Sequence, residues 1–140
     1  MKIFLDANIL VSVLNQEYPI FTYSSRVLSL MDNPKFEVYT SPICLAIAFY
    51  FAEKKSGTVK AKQKMVILCN KIEIAQSDKS TVLKTIQNKS IRDFEDGLEY
   101  YSAQAANCKC IITEDKDDFF FSSLEVLDSQ SFLKKYVMTI

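Results

Sequence analysis

Lys2-Ile3-Phe4-Leu5-Asp6-Ala7-Asn8 opens the chain, and its reading decides the fold. Ile3, Phe4 and Leu5 form an apolar run suited to a buried central strand, and the acid and amide after them mark its polar end. The same pattern returns at Cys108 to Thr113, which runs into Glu114-Asp115-Lys116-Asp117-Asp118. Phe36-Glu37-Val38-Tyr39, Ile72-Glu73-Ile74-Ala75 and Leu124-Glu125-Val126-Leu127 read as three further strands.

Helical patterns fill the intervals. Ser24 or Ser25 caps a segment carrying Val27, Leu28 and Met31, which Asp32-Asn33-Pro34 ends. Ser41 as N-cap and Pro42 at the first helical position start a helix that is apolar nearly all round from Ile43 to Ala52, so it is expected to be buried. Gly57 breaks it, and Thr58 opens another that runs to Leu68. Asp78 or Ser80 caps 81–88; Arg92 to Ala106 forms the next helix, with Phe94, Leu98, Tyr101 and Ala105 as its apolar stripe. Asp128 or Ser129 caps a last helix containing Phe132, Leu133 and Tyr136. Strands alternate with helices throughout, which predicts an α/β fold: three layers, α/β/α, around a central parallel sheet of four or five strands.

The 140 residues suit a single domain over 1–140. With apolar residues at 49% and charged residues at 24%, the chain can build an ordinary core. Two glycines, Gly57 and Gly97, cannot supply a G-x-G-x-x-G turn or a Walker A loop. The absence of histidine removes imidazole triads and His-ligated zinc. Cys44, Cys69, Cys108 and Cys110 form no C-x-x-C pair and read as small buried hydrophobes in a reducing compartment. The apolar run from Ile43 to Ala52 is far short of the about 20 residues a membrane span needs, and Asp6 interrupts the N-terminal apolar stretch, so a cytoplasmic protein is expected. Net charge is zero, but nine lysines lie in 54–89, and eight acids lie in 93–118. A basic middle precedes an acidic block.

In open parallel sheets ligands bind beyond the carboxyl ends of the strands. Asp6 and the Glu114 to Asp118 block occupy such ends, and Asp93 and Asp96 share one face of the helix that feeds the second of them. Any one of these acids could be an ordinary cap or turn residue. Gathered at one sheet edge they would repel one another, and a cation or protons would be needed to keep them close. Oxygen ligands without histidine suit Mg²⁺ or Mn²⁺, which assist hydrolytic phosphoryl transfer by acidifying water and neutralising phosphodiester charge.

These residues carry a family resemblance. Phe4-Leu5-Asp6-Ala7-Asn8, Asp93-Phe94-Glu95-Asp96-Gly97-Leu98, Ile111-Ile112-Thr113-Glu114-Asp115 through Asp118-Phe119, and Glu125-Val126-Leu127 before Phe132-Leu133 resemble, in order and spacing, a PIN domain. The resemblance implies a Mg²⁺- or Mn²⁺-dependent ribonuclease, with RNA as substrate and a cognate antitoxin as partner in toxin-type members; apart from the resemblance, a homodimer is a candidate assembly. It makes Asp6, Asp96 and Asp115 metal-binding and catalytic, adds Asp118 as a catalytic acid, and makes Asp93, Asn8 and Thr113 supporting residues. One position departs from the family: Ile47 stands where a glutamate is usual, about six residues beyond Ser41, and Glu53 lies too far round and along the helix to replace it. Asp93 or Asp118 could compensate. The alternative expectation is a catalytically weakened PIN-like module that binds RNA or a protein partner. A phosphoacceptor receiver domain fits less well, because the first strand ends in a single acid and Ile74-Ala75-Gln76-Ser77 offers none.

Overall fold

The computed structural model describes residues 1–138. β1 (Lys2–Leu5), β2 (Glu37–Thr40), β3 (Glu73–Ile74), β4 (Cys110–Ile112) and β5 (Glu125–Leu127) form a parallel sheet in the order β3-β2-β1-β4-β5. Helices α1 (Ala7–Leu14), α2 (Phe21–Leu28), α3 (Pro42–Ser56), α4 (Thr58–Cys69), α5 (Lys79–Gln87), α6 (Phe94–Ala105) and α7 (Ser129–Phe132) flank it in the predicted three-layer α/β/α arrangement. Ile3, Phe4, Leu5, Cys110, Ile111 and Ile112 are wholly buried, as expected of central parallel strands covered on both faces. Among the described residues no helix is long and apolar enough to cross a membrane.

The strand order places the functional edge. From β1 the chain builds outward through β2 and β3, then returns to β4 on the other side of β1. The connections diverge between β1 and β4, which opens a crevice beyond their carboxyl ends. Asp6 N–H donates to the carbonyl of Ile112 (3.0 Å), so the residues that leave these two strands start side by side.

Several elements differ from the sequence reading. The sequence reading places no helix after Asp6, yet Asp6 caps α1 at once, accepting from the Ala7 N–H at 2.6 Å. Ile9 to Leu14 carries no polar period from which that buried helix could be read. α2 begins at Phe21, ahead of both candidate serine caps, because Ile20 is already helical. α3 starts at Ser41 and Pro42 as expected but is not buried all round. Only Cys44, Ala48 and Ala52 are covered, a ridge of small residues four apart that lets α3 lie close against its neighbours. Tyr50 and Phe51 remain 55% and 44% exposed. On α6 the buried residues include Leu98 and Ala103, whereas Phe94 is exposed at the pocket end, so the predicted stripe is only partly the packed face. Cys69 is exposed, unlike the other three cysteines. Asp128 caps α7, which continues into a wider π turn over Leu133–Val137.

Two close features support the functional edge. Gly97 lets α5 close on α6: a Cβ there would lie 2.4 Å from Thr85 Cγ2 and 3.0 Å from Ile91 Cγ2. Lys64 Nζ donates to the Leu14 carbonyl (2.9 Å), and Lys55 donates to the Asn15 carbonyl, so two lysines of the basic stretch close the C-terminal end of α1.

Candidate active site

Asp6, Asn8, Asp93, Asp96, Asp115 and Asp118 line one pocket of about 430 Å³ at the carboxyl edge between β1 and β4. Thr113 completes the set from beneath. Its buried Oγ1 donates to Asp6 Oδ2 (2.7 Å) and accepts from Asn8 Nδ2 (3.1 Å) and the Asp115 N–H (3.0 Å). A hydroxyl has one donor and two acceptor sites, so Thr113 is saturated. Asn8 adds a bond from Nδ2 to Asp115 Oδ2 (3.2 Å) and accepts from the Glu114 N–H (3.3 Å). Asp6 and Asp115, more than a hundred residues apart in sequence, are thereby braced by one network.

The α6 side of the pocket is built by its first turns. Asp93 is the N-cap and accepts from the N–H groups of Glu95 (2.9 Å) and Asp96 (3.4 Å). That leaves Asp96 facing the pocket one turn later. α1 and α6 both begin here, so two helix N-termini bring their partial positive charge to the acidic cluster. Even so, burial, followed by the charges of Asp93, Asp118 and Asp6, raises the Asp96 pKa to about 7. Asp118, at the exposed rim, is also raised by partial desolvation, then by Asp115, Asp6 and Asp93. Among the described residues neither carboxylate accepts a side-chain hydrogen bond, so both are available to a cation or a water.

Sequence reasoning missed Glu99. It lies one turn beyond Asp96, is 2% exposed, and meets Asp6 and Cys44 with one ligand atom of each within 4.8 Å of the others. The Cys44 thiol donates to Glu99 Oε1 (2.8 Å), and Ser41 Oγ donates to Cys44 Sγ (3.2 Å). Burial first, then the hydrogen bond and charge of Asp6, pushes the Glu99 pKa up to about 11. Without a cation Glu99 is a neutral acid at physiological pH. The same burial, with Glu99 beside it, holds Cys44 far above the ordinary thiol range, so it acts as a proton donor rather than a thiolate. A readable signal existed: Asp93, Asp96 and Glu99 follow one another at intervals of three. Glu17 and Glu95 also line the pocket.

Ile47 faces this same pocket from α3, together with Phe51. Glu53 is absent from its lining and instead accepts from Thr58 Oγ1 at 2.8 Å. The α3 wall therefore presents hydrocarbon where the α6 wall presents acids.

A three-layer parallel domain with acids converging where the strand order reverses has the architecture of the PIN domains. The PIN domain family profile matches residues 2–117, and the chain belongs to that family. Its relatives include ribonuclease VapC1 of Aquifex aeolicus (strain VF5), 28% identical over 139 residues covering 96% of this chain and 95% of that protein. Solved structures that share the fold include two toxin–antitoxin family proteins. One is VapBC2 of Rickettsia felis bound to a DNA fragment from their promoter, with TM-score 0.69, 21% identity, and coverage of 91% of this chain and 98% of the other. The second is the sarcin-ricin loop cleaving toxin VapC20 of Mycobacterium tuberculosis, with TM-score 0.63, 13% identity, and coverage of 78% and 86%.

Proposed function

We propose that this chain is a Mg²⁺- or Mn²⁺-dependent endoribonuclease that acts as the toxin of a toxin–antitoxin pair. The convergence of Asp6, Asp96 and Asp115, with Asp93 and Asp118, on one pocket between β1 and β4 carries the reading. The ribonuclease relative and the toxins that share the fold support the substrate class, and the VapBC complex supports an antitoxin partner.

The donor set suits such a cation. Its charged groups at the pocket surface are carboxylates, joined by the Asn8 amide, and among the described residues the sulfur that meets them is the buried Cys44 thiol, whose pKa burial raises. Asp6, Asp96 and Asp115 would hold the ion, which when bound acidifies water and offsets charge on the scissile phosphate. Thr113 and Asn8 keep Asp6 and Asp115 aimed at the pocket through their mutual hydrogen bonds. Asp118 and Asp93, at the rim, orient the attacking water; one of them takes its proton as the oxygen adds to phosphorus, and as the P–O bond to the ribose breaks that proton passes to the departing ribose oxygen. Lys64 and Lys55 are committed to the end of α1 and Lys71 pairs with Asp32 (2.5 Å), so other lysines of 54–89 supply the phosphate contacts.

Ile47 favours one second reading, a module of this fold that binds RNA or a protein with weakened hydrolysis. One assay decides between them. The expected result is RNA cleavage with Mn²⁺ or Mg²⁺ that falls by more than about a hundredfold in Asp6→Asn. A folded protein that cuts no RNA with either ion would leave the binding module.

A further inference from the structure

On two elements, exposed aromatic side chains neighbour pocket-lining residues in the chain. On α3, Tyr50 and Phe51 are 55% and 44% exposed, and Lys54 Nζ lies 5.7 Å from the centre of the Tyr50 ring. On the second element Phe120 is 57% exposed, and the Arg92 guanidinium carbon lies 5.4 Å from its ring centre. Arg92 is next to Asp93, and Phe120 is two residues beyond Asp118, so both flank pocket-lining acids. Between α3 and the first turn of α6 runs a groove lined by Ile43, Ala46, Ile47, Tyr50, Phe51 and Glu95. Ile47, Phe51 and Glu95 also line the acidic pocket, so groove and pocket are continuous.

Exposed rings of this size call for an occupant. Each of the two stations pairs an aromatic face with a cation, the alternation of flat base and charged phosphate that a nucleic acid strand presents. An apolar peptide side chain would make no use of Lys54 or Arg92. A ribbon of phosphates alone would avoid a pocket so rich in carboxylates. Stacking on hydrocarbon supplies affinity that this charge does not oppose.

We propose that the α3/α6 groove is a base subsite, taking an unpaired nucleobase of single-stranded RNA beside the phosphodiester at the acidic pocket, while Phe120 and Arg92 take the nucleotide on its other side. The proposal rests on the ribonuclease reading for the place of the phosphodiester. Ile43, Ala46 and Ile47 give the apolar floor, Tyr50 the stacking wall, and the Glu95 carboxylate at the rim accepts from an N–H edge of the base. A-form duplex is excluded, because its bases are stacked inside the helix and cannot enter a groove.

The test measures binding of labelled single strands of about ten nucleotides to the Asp96→Asn protein, which leaves the RNA intact. The strands are compared with copies carrying abasic nucleotides and with the same sequence as duplex. Base-bearing single strands should bind between about fivefold and a hundredfold more tightly than abasic ones. Adding Tyr50→Ala should remove that difference by weakening only the base-bearing strand, Tyr50→Phe should keep it, and neither should move the melting temperature, since Tyr50 is exposed. Equal binding of base-bearing and abasic strands, or equal weakening of both by Tyr50→Ala, overturns the subsite. So does a groove in which Tyr50→Ala spares RNA and instead weakens a purified inhibitory polypeptide. Failure of the wild-type chain to cut RNA with Mn²⁺, with base-dependent binding intact, would sink the ribonuclease reading and not the subsite.

Discussion

Two helices face the same pocket with opposite chemistry. α6 sends Asp93, Asp96 and Glu99 into it at successive turns, whereas α3 contributes Ile47 and Phe51. α3 still takes part, through Cys44, whose thiol donates to Glu99 beneath the visible surface. The contrast shows how a crowded acidic site can persist in a folded chain. Burial holds its deepest carboxyl, Glu99, protonated beside the Cys44 thiol, and raises the Asp96 pKa to about 7. A further carboxylate on the hydrocarbon wall would add to the repulsion among these acids.

The largest expected effect comes from cutting the brace beneath both walls. Thr113→Val keeps the shape but strips Asp6 of a donor and leaves the Asp115 N–H and Asn8 amide without their acceptor. A loss of about 1–3 kcal/mol is expected, read as a lower denaturation midpoint, together with loss of cleavage. Full stability with full activity would mean that Asp6 is held by its helix cap alone.

Next in size is the attempt to make the walls alike. Ile47→Glu adds a carboxylate to the α3 side, and because Ile47 is only half-buried the new group can turn toward pocket water, so the metal-free protein should lose about 1 kcal/mol. Mn²⁺ should then raise its melting temperature more than it raises that of the wild type, by mass action on the native state. An identical metal response in both proteins would show that α3 is not aimed at the cation, and the contrast between the walls would lose its functional meaning.

Which wall could be read from sequence has a physical reason. Asp6, Asp93, Asp96, Asp115 and Asp118 sit at strand ends or in a first helical turn, places that a parallel sheet brings to one edge whatever the packing details. Asn8 and Thr113 follow because they flank those acids. Glu99 sits inside a helix, where an acid ordinarily points to solvent, whereas here it is buried against Cys44 of α3 and Asp6. The exposed face of α3 was hidden for the opposite reason. Tyr50 and Phe51 look like core residues by composition, and only the narrow ridge of Cys44, Ala48 and Ala52 decides that they are not.

Lowering pH should relax the α6 wall. Asp96 has a folded pKa of about 7, raised above its ordinary value of 3.8, so the native state holds more protons than the unfolded chain between those values. The stability of the metal-free protein therefore falls as pH rises through that window. Glu99, raised to about 11, acts in the same direction over a longer range. Asp78 and Asp128 are lowered by their cap hydrogen bonds, with Lys116 also lowering Asp128, and they oppose this only in more acid solution, below the ordinary Asp value. The metal-free melting temperature should thus be higher near pH 5 than near pH 8, and the rise produced by Mn²⁺ should grow with pH. A metal-free protein that is more stable near pH 8 would contradict the crowding of the α6 wall.

The smallest and sharpest effect is Glu99→Gln. Because Glu99 is already neutral without metal, the substitution removes no charge from the metal-free site and keeps a planar group able to donate to Asp6 and accept from Cys44. Stability should change by less than about 1 kcal/mol. The difference appears when a cation enters, since binding to carboxyl groups expels their protons. Calorimetry of Mn²⁺ binding in buffers of different ionisation enthalpy counts those protons. If Glu99 ionises to meet the cation, the variant releases up to one proton fewer per ion and binds more weakly; if it stays a neutral strut between Asp6 and Cys44, proton count and affinity are those of the wild type. The first outcome makes α6 the source of the charge that α3 lacks. The second confines the site to the strand-end and rim acids and leaves Glu99 with a purely positional role.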